Sequence, residues 1–97
     1  MTNPARAEAA IAGFTLRPSF AALVAAEQEL GPLFSLVERA AAGQLGLAET
    51  IALLWPMCTN QPDGLTRDDF AEALMAAGLA ALAPVLRTIL GQILKGR

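Results

Sequence analysis

Ninety-seven residues make room for one domain, at a size where folding buries only about 60–65% of the surface the unfolded chain exposes. Hydrophobic residues are 55% of the chain and aromatics only 5%, so alanine supplies much of the apolar content and the core leans on the leucines and on Phe14, Phe20, Phe34, Trp55 and Phe70. A net charge of −2 with scattered Arg and Lys excludes the cation patch that nucleic-acid backbones require, and a lone cysteine, Cys58, excludes an intrachain disulfide or a multi-cysteine metal site.

The segment 1–6 is followed by Glu8 rather than an apolar stretch, which argues against a secretory signal. The longest uncharged run, 73–86, is interrupted by Gly78 and Pro84 and falls short of the about 20 apolar residues a bilayer needs. The expectation is a cytoplasmic chain with neither a membrane nor a nucleic-acid partner, its oligomeric state left open.

In chain order, Ala12-Gly13 lies between 8–11 and 14–17, whose Ile11, Phe14 and Thr15 favour strands, so a short hairpin is predicted. Pro18 holds Arg17 extended and opens a first helix over about 19–30, with Phe20, Leu23, Val24 and Leu30 sharing a face. Gly31-Pro32 ends it. A second helix begins near Pro32, turns Leu33, Leu36, Val37 and Ala40 inward and ends around Gly43. The third covers about 47–57, with Ile51, Leu54 and Trp55 on one side and Pro56 to kink or finish it. The turn-rich stretch 59–64 is the main loop. Thr66 with Asp69 three residues on has the form of a capping box, giving a fourth helix over about 67–77. Gly78 separates it from a last helix over about 79–95, in which Pro84 marks a kink or second start. Val85, Leu86, Ile89, Leu90, Ile93 and Leu94 make a wide apolar face there, and Lys95 and Arg97 suit its C-terminal end. The predicted fold is mainly α: a compact bundle of about five short helices with a possible N-terminal hairpin, forming one domain over 1–97, with 1–17 as the arm and 18–97 helical.

Reactive chemistry finds no support. There is no His and no Tyr; Ser19, Ser35 and Cys58 lack a base, and the only lysine, Lys95, stands at the C-terminal end. A calcium loop with Gly64 in sixth place would put Phe70 where a bidentate glutamate belongs. Gly13, Gly31, Gly43 and Gly46 punctuate element ends rather than forming a phosphate loop. No catalytic residue, metal site or cofactor is expected.

Glu27 falls by azimuth between Phe20, Leu23 and Val24, where an unpaired buried carboxylate would cost several kcal/mol. Two structural resolutions are open: hydrogen bonds from Arg17 or Arg39, or capping of another helix's free N–H groups. A functional alternative makes it a carboxylate in a partner-binding groove. Trp55 and Met57 beside Pro56 form either a lid on the core or an exposed partner anchor, since Trp and Met favour binding surfaces; the last helix's face with Ile89 and Ile93 is either covered by the chain's own helices or a second docking surface, and these four are the candidate partner-binding residues.

Asn3-Pro4 with Arg6 and Glu8, then the run 16–23, Glu27, Leu30-Gly31, Leu36, the run 39–43, and Leu65-Thr66 before an acidic stretch together resemble the gene-transfer-agent-type tail assembly proteins. That group is similar to small phage tail-assembly chaperones. The resemblance spans most of the chain and implies a non-enzymatic cytoplasmic protein that holds tape-measure or tail-tube subunits during tail morphogenesis of a phage, prophage or gene transfer agent. The same family is also described as a tail tube component; a mostly helical chain argues against that, because tube subunits are built on β-sheets. With a tape measure as client, a groove between the third helix (Trp55, Met57) and the last (Ile89, Ile93) would receive its amphipathic helix. The alternatives are a generic intracellular helical adaptor or regulator, and a structural tail component.

Overall fold

The computed structural model describes residues 9–95. The N-terminal part of the expected arm, 1–8, and Arg97 at the last helix's end lie outside those residues. Strands β1 (Ala9–Ile11) and β2 (Phe14–Leu16) pair antiparallel, with Ala9 opposite Leu16 and Ile11 opposite Phe14. Ala12 and Gly13 both take positive φ, 54° and 84°, the mirror-image turn whose twist matches the strands it joins. Glycine does this freely, whereas alanine costs about 1–2 kcal/mol there. Alternation puts Ile11, Phe14 and Leu16 on the buried face.

Five α-helices follow among the described residues: α1 (Phe20–Leu30), α2 (Leu33–Ala41), α3 (Leu47–Leu54), α4 (Arg67–Ala77) and α5 (Leu79–Lys95). Ser19 caps α1 by accepting the Ala22 N–H at 3.2 Å. Gly31, at φ 100°, allows the chain to turn by 87° into α2. At α3 the proline has the expected effect: Pro56 has no N–H to give, and the helix tightens into a 3₁₀ turn over Trp55–Met57. The capping box at α4 is complete, Asp69 N–H donating to Thr66 Oγ1 at 3.1 Å and Thr66 N–H to Asp69 Oδ2 at 3.3 Å. Pro84 sits inside α5, which continues through it as one helix.

The stretch 57–60, read from sequence as part of a helix end and a loop, runs back along β2. Arg17 N–H donates to the Met57 carbonyl and Thr59 N–H to the Thr15 carbonyl, both at 2.9 Å, and Leu16 bridges Cys58 antiparallel. Asn60 extends this edge with its side chain: its Oδ1 accepts the Thr15 N–H at 2.8 Å and its Nδ2 donates to the Gly13 carbonyl at 3.1 Å. A side-chain amide thereby stands in for a peptide group.

The core gathers on Phe70, which meets Phe14 edge-to-face at 5.0 Å and Trp55 tilted at 5.3 Å. Two of the five aromatics expected inside are outside: Phe20 is 84% and Phe34 88% exposed. The cause lies in α1. It turns Ala22 and Ala26, four residues apart, into the core, where small side chains let it pack closely on α3. At about 100° per residue, that rolls the Phe20 side of α1 roughly a quarter turn from the expected inward direction. Leu23, Val24 and Leu30 become half-buried flanks, and Glu27 faces solvent.

Candidate functional site

α2 lies at the margin of the core. Its Leu36 and Val37 are buried, but outside the central cluster that draws on the hairpin, α1, α3, α4 and α5. It leans on α1 and on α5, and the wedge it leaves open is a groove of about 490 Å³ walled by Leu23, Leu33, Phe34, Val37, Ile93 and Leu94, with Glu38 as its charged member. Phe34 and Leu94, the latter 66% exposed, stand at its mouth. Phe20 lies three residues before Leu23, on the same side of α1.

Glu27 ties α1 to the start of α2 at this wedge. Its Oε2 accepts the Leu33 N–H at 2.9 Å, satisfying a free donor at the start of α2 that Pro32 cannot cap with its side chain. The helix-capping alternative is therefore the one realised. Neither expected arginine reaches Glu27: Arg39 pairs instead with Glu49 at 2.8 Å, and Arg17 makes no ion pair among the described residues. Glu49 also accepts the Gly46 N–H at the start of α3; that backbone bond, then the Arg39 hydrogen bond, holds its carboxyl below the usual value. Between α1 and α4, Glu29 takes a two-pronged hydrogen bond from Arg67 at 2.7 and 2.9 Å. The bond lowers the Glu29 pKa and raises that of Arg67.

A second apolar groove, about 500 Å³, opens where the α2–α3 loop and the start of α3 meet α4 and α5, lined by Leu45, Leu47, Met75, Leu79, Ala83 and Leu86. Leu47 and Leu79 protrude from it, 51% and 64% exposed.

The residues proposed from sequence for partner binding separate. Met57 and Ile89 are fully buried and offer nothing to a partner, since they fill the core beneath the hairpin and between helices. Trp55 is half-buried, its ring spent on Phe70. Ile93 alone lines an open groove, and it does so with α2 rather than with the third helix. Phe34, Leu33, Leu47 and Leu79 were missed, whereas Leu94 lies on the apolar face of the last helix that the sequence already offered for docking. A signal existed for the first: Phe34 shares a helical stripe with Glu38 four residues on, which marks a solvent-facing azimuth. Among the described residues, no three His, Cys, Asp or Glu side chains gather to hold a metal, and no single helix is long and apolar enough to cross a membrane.

Fold and surface thus define a small, mainly helical protein that carries two apolar grooves at the edges of one core. The chain belongs to the family described as phage tail tube protein, GTA-gp10, whose model matches residues 5–96, and it is accordingly a phage or gene-transfer-agent tail protein. No curated protein and no solved structure matches it significantly.

Proposed function

We propose that the chain is a non-enzymatic tail-assembly chaperone, working in the bacterial cytoplasm, whose α1–α2–α5 groove receives an apolar segment of an unassembled tape-measure or tail-tube subunit. The observation that carries this reading is the pair of phenylalanines, 84% and 88% exposed, on the helices that wall the groove. Burying one such side chain on a partner stabilises by about 1.5–3 kcal/mol, a strong inducement to bind. An amphipathic helix laid between α2 and the end of α5 would cover Phe34, Ile93 and Leu94 together. The helical content supports the same reading. A ring subunit built on a β-sheet needs long strand edges, and the described residues offer two three-residue strands.

The second reading, a structural component of the tail, is favoured by the family's own description as a tail tube protein. An adaptor unrelated to tails has no comparable support.

Co-expression with the tape-measure and tail-tube subunits from the same gene cluster tests the proposal. Wild-type chain should keep one of them soluble and co-purify with it, and Phe34→Ser with Leu94→Ser should reduce capture at least tenfold while the circular dichroism spectrum is unchanged. Capture that survives the double substitution would remove this groove. Recovery of the chain from purified particles at ring stoichiometry would favour the structural reading.

A further inference from the structure

Of the five described helices, α2 alone gives no residue to the central cluster. Its buried Leu36 and Val37, and Leu90 of α5, lie outside that cluster. Lifting α2 from its seat would therefore leave the cluster whole. The flank of α2 that bears Leu33 and Phe34 borders the open wedge of about 490 Å³ in place of a packed neighbour.

Two polar links tie α2 to its neighbours among the described residues, one at each end. The Leu33 N–H donates to Glu27 Oε2 at 2.9 Å, and Arg39 Nη1 donates to Glu49 Oε2 at 2.8 Å. Water competes for both, since Glu27 is exposed and the Arg39 and Glu49 side chains are 38% and 34% exposed. The chain enters α2 through Gly31 at φ 100° and leaves it through Gly43 at φ 73°, each with nothing within 4 Å of where a Cβ would stand. A helix latched and jointed at both ends, on an apolar seat of its own, has the means to open as a unit while the rest of the fold stays closed.

We propose that α2 is a lid on the face formed by α1 and α5: it lifts away as one body and widens the wedge into a trough. Leu23 and Ile93 already wall the wedge, and Leu90, one turn before Leu94 on α5, is bared as the lid rises. In the closed state α2 lays Leu36 and Val37 on this face, so it occupies in cis part of the place that a client's amphipathic helix would take. Apparent affinity for the client then falls with the fraction of molecules that are open, and the two latches set that fraction. This role in client binding rests on the chaperone reading given above; the lid itself does not.

Native-state hydrogen exchange of the purified full chain, without client, is the test. Amides of Val37 to Ala41 should exchange at least tenfold faster than those of Leu53, Leu54, Ile89 and Leu90, with a weaker dependence on urea. Glu27→Ala with Arg39→Ala releases both latches and leaves Glu49 to cap α3. It should speed exchange in α2 at least tenfold more and leave α3 and α5 unchanged. A second readout is thiol labelling of the Leu36→Cys variant, with the native Cys58 of the central cluster as internal reference. The introduced thiol should react at least tenfold faster than Cys58, and faster still when the latches are removed. Exchange of α2 in step with α3 and α5 at one urea slope, latch substitutions that speed every helix alike, or equal labelling of the two thiols would each overturn the lid. In co-expression with the tail subunits, the latch-free variant should capture at least threefold more client than wild type. Equal capture would overturn the regulatory role, whereas no capture by either chain would sink the client reading and leave the lid to the exchange result.

Discussion

Asn60 ties the segment after the 3₁₀ turn to the hairpin with one amide, filling both an acceptor and a donor place on the β2 edge and turn. Its sequence context of turn formers marked it only as a loop residue, because partners 45 and 47 positions away leave no local trace. Asn60→Ala frees the Thr15 N–H and the Gly13 carbonyl to water. The expected cost is about 1–2 kcal/mol, read as a lower urea midpoint with unchanged slope. Asn60→Asp keeps the acceptor but sets a carboxylate oxygen against the Gly13 carbonyl, so it should not recover the loss. Glu27 shows the opposite case. A cap was one of the open alternatives for a carboxylate at its azimuth, and the Leu33 N–H is the donor it serves.

At the scale of elements, boundaries were legible and facing was not. The fourth and fifth helices fall where Thr66, Gly78 and Lys95 place them, since caps and glycines act on their own turn. The rotation of α1 was misread, because periodicity weights large side chains, whereas the core selected Ala22 and Ala26 for their small size. Ala26→Leu should therefore overpack the α1–α3 contact and cost about 1–3 kcal/mol, while Phe20→Ser should stay within about 0.5 kcal/mol of wild type. Thermal melts of the two variants check this, and the naive hydrophobic ranking would give the reverse order.

At the scale of the whole molecule, two ion pairs among the described residues join helices that the core holds less directly: Glu29 with Arg67 between α1 and α4, and Glu49 with Arg39 between α3 and α2. Both carboxyls titrate below their ordinary value, so the unfolded chain takes up protons first as pH falls. Their contribution is present above the unfolded carboxyl pKa of about 4.3 and is lost as pH drops through the lower folded values. Melting temperature should hold from neutral pH down to about 5 and decline below about 4. Glu29→Gln should flatten part of that decline. Exposed pairs are screened, so high salt should lessen the same effect. On this scale the two grooves are properties of the assembled helices, since each takes its walls from more than one of them.

The sequence by itself determined the helical class, the hairpin turn, the helix ends and the family, because each rests on short-range chemistry or on an ordered set of residues along the chain. Tertiary structure alone decided which apolar residues remain outside. Phe20 and Phe34 are as apolar as Phe70, yet α1 packs through its alanines and α2 leans on the edge of the core, so the space that would have buried those two rings is never formed. Exposure depends on how helices pack against one another, and that packing depends on residues far apart in the chain.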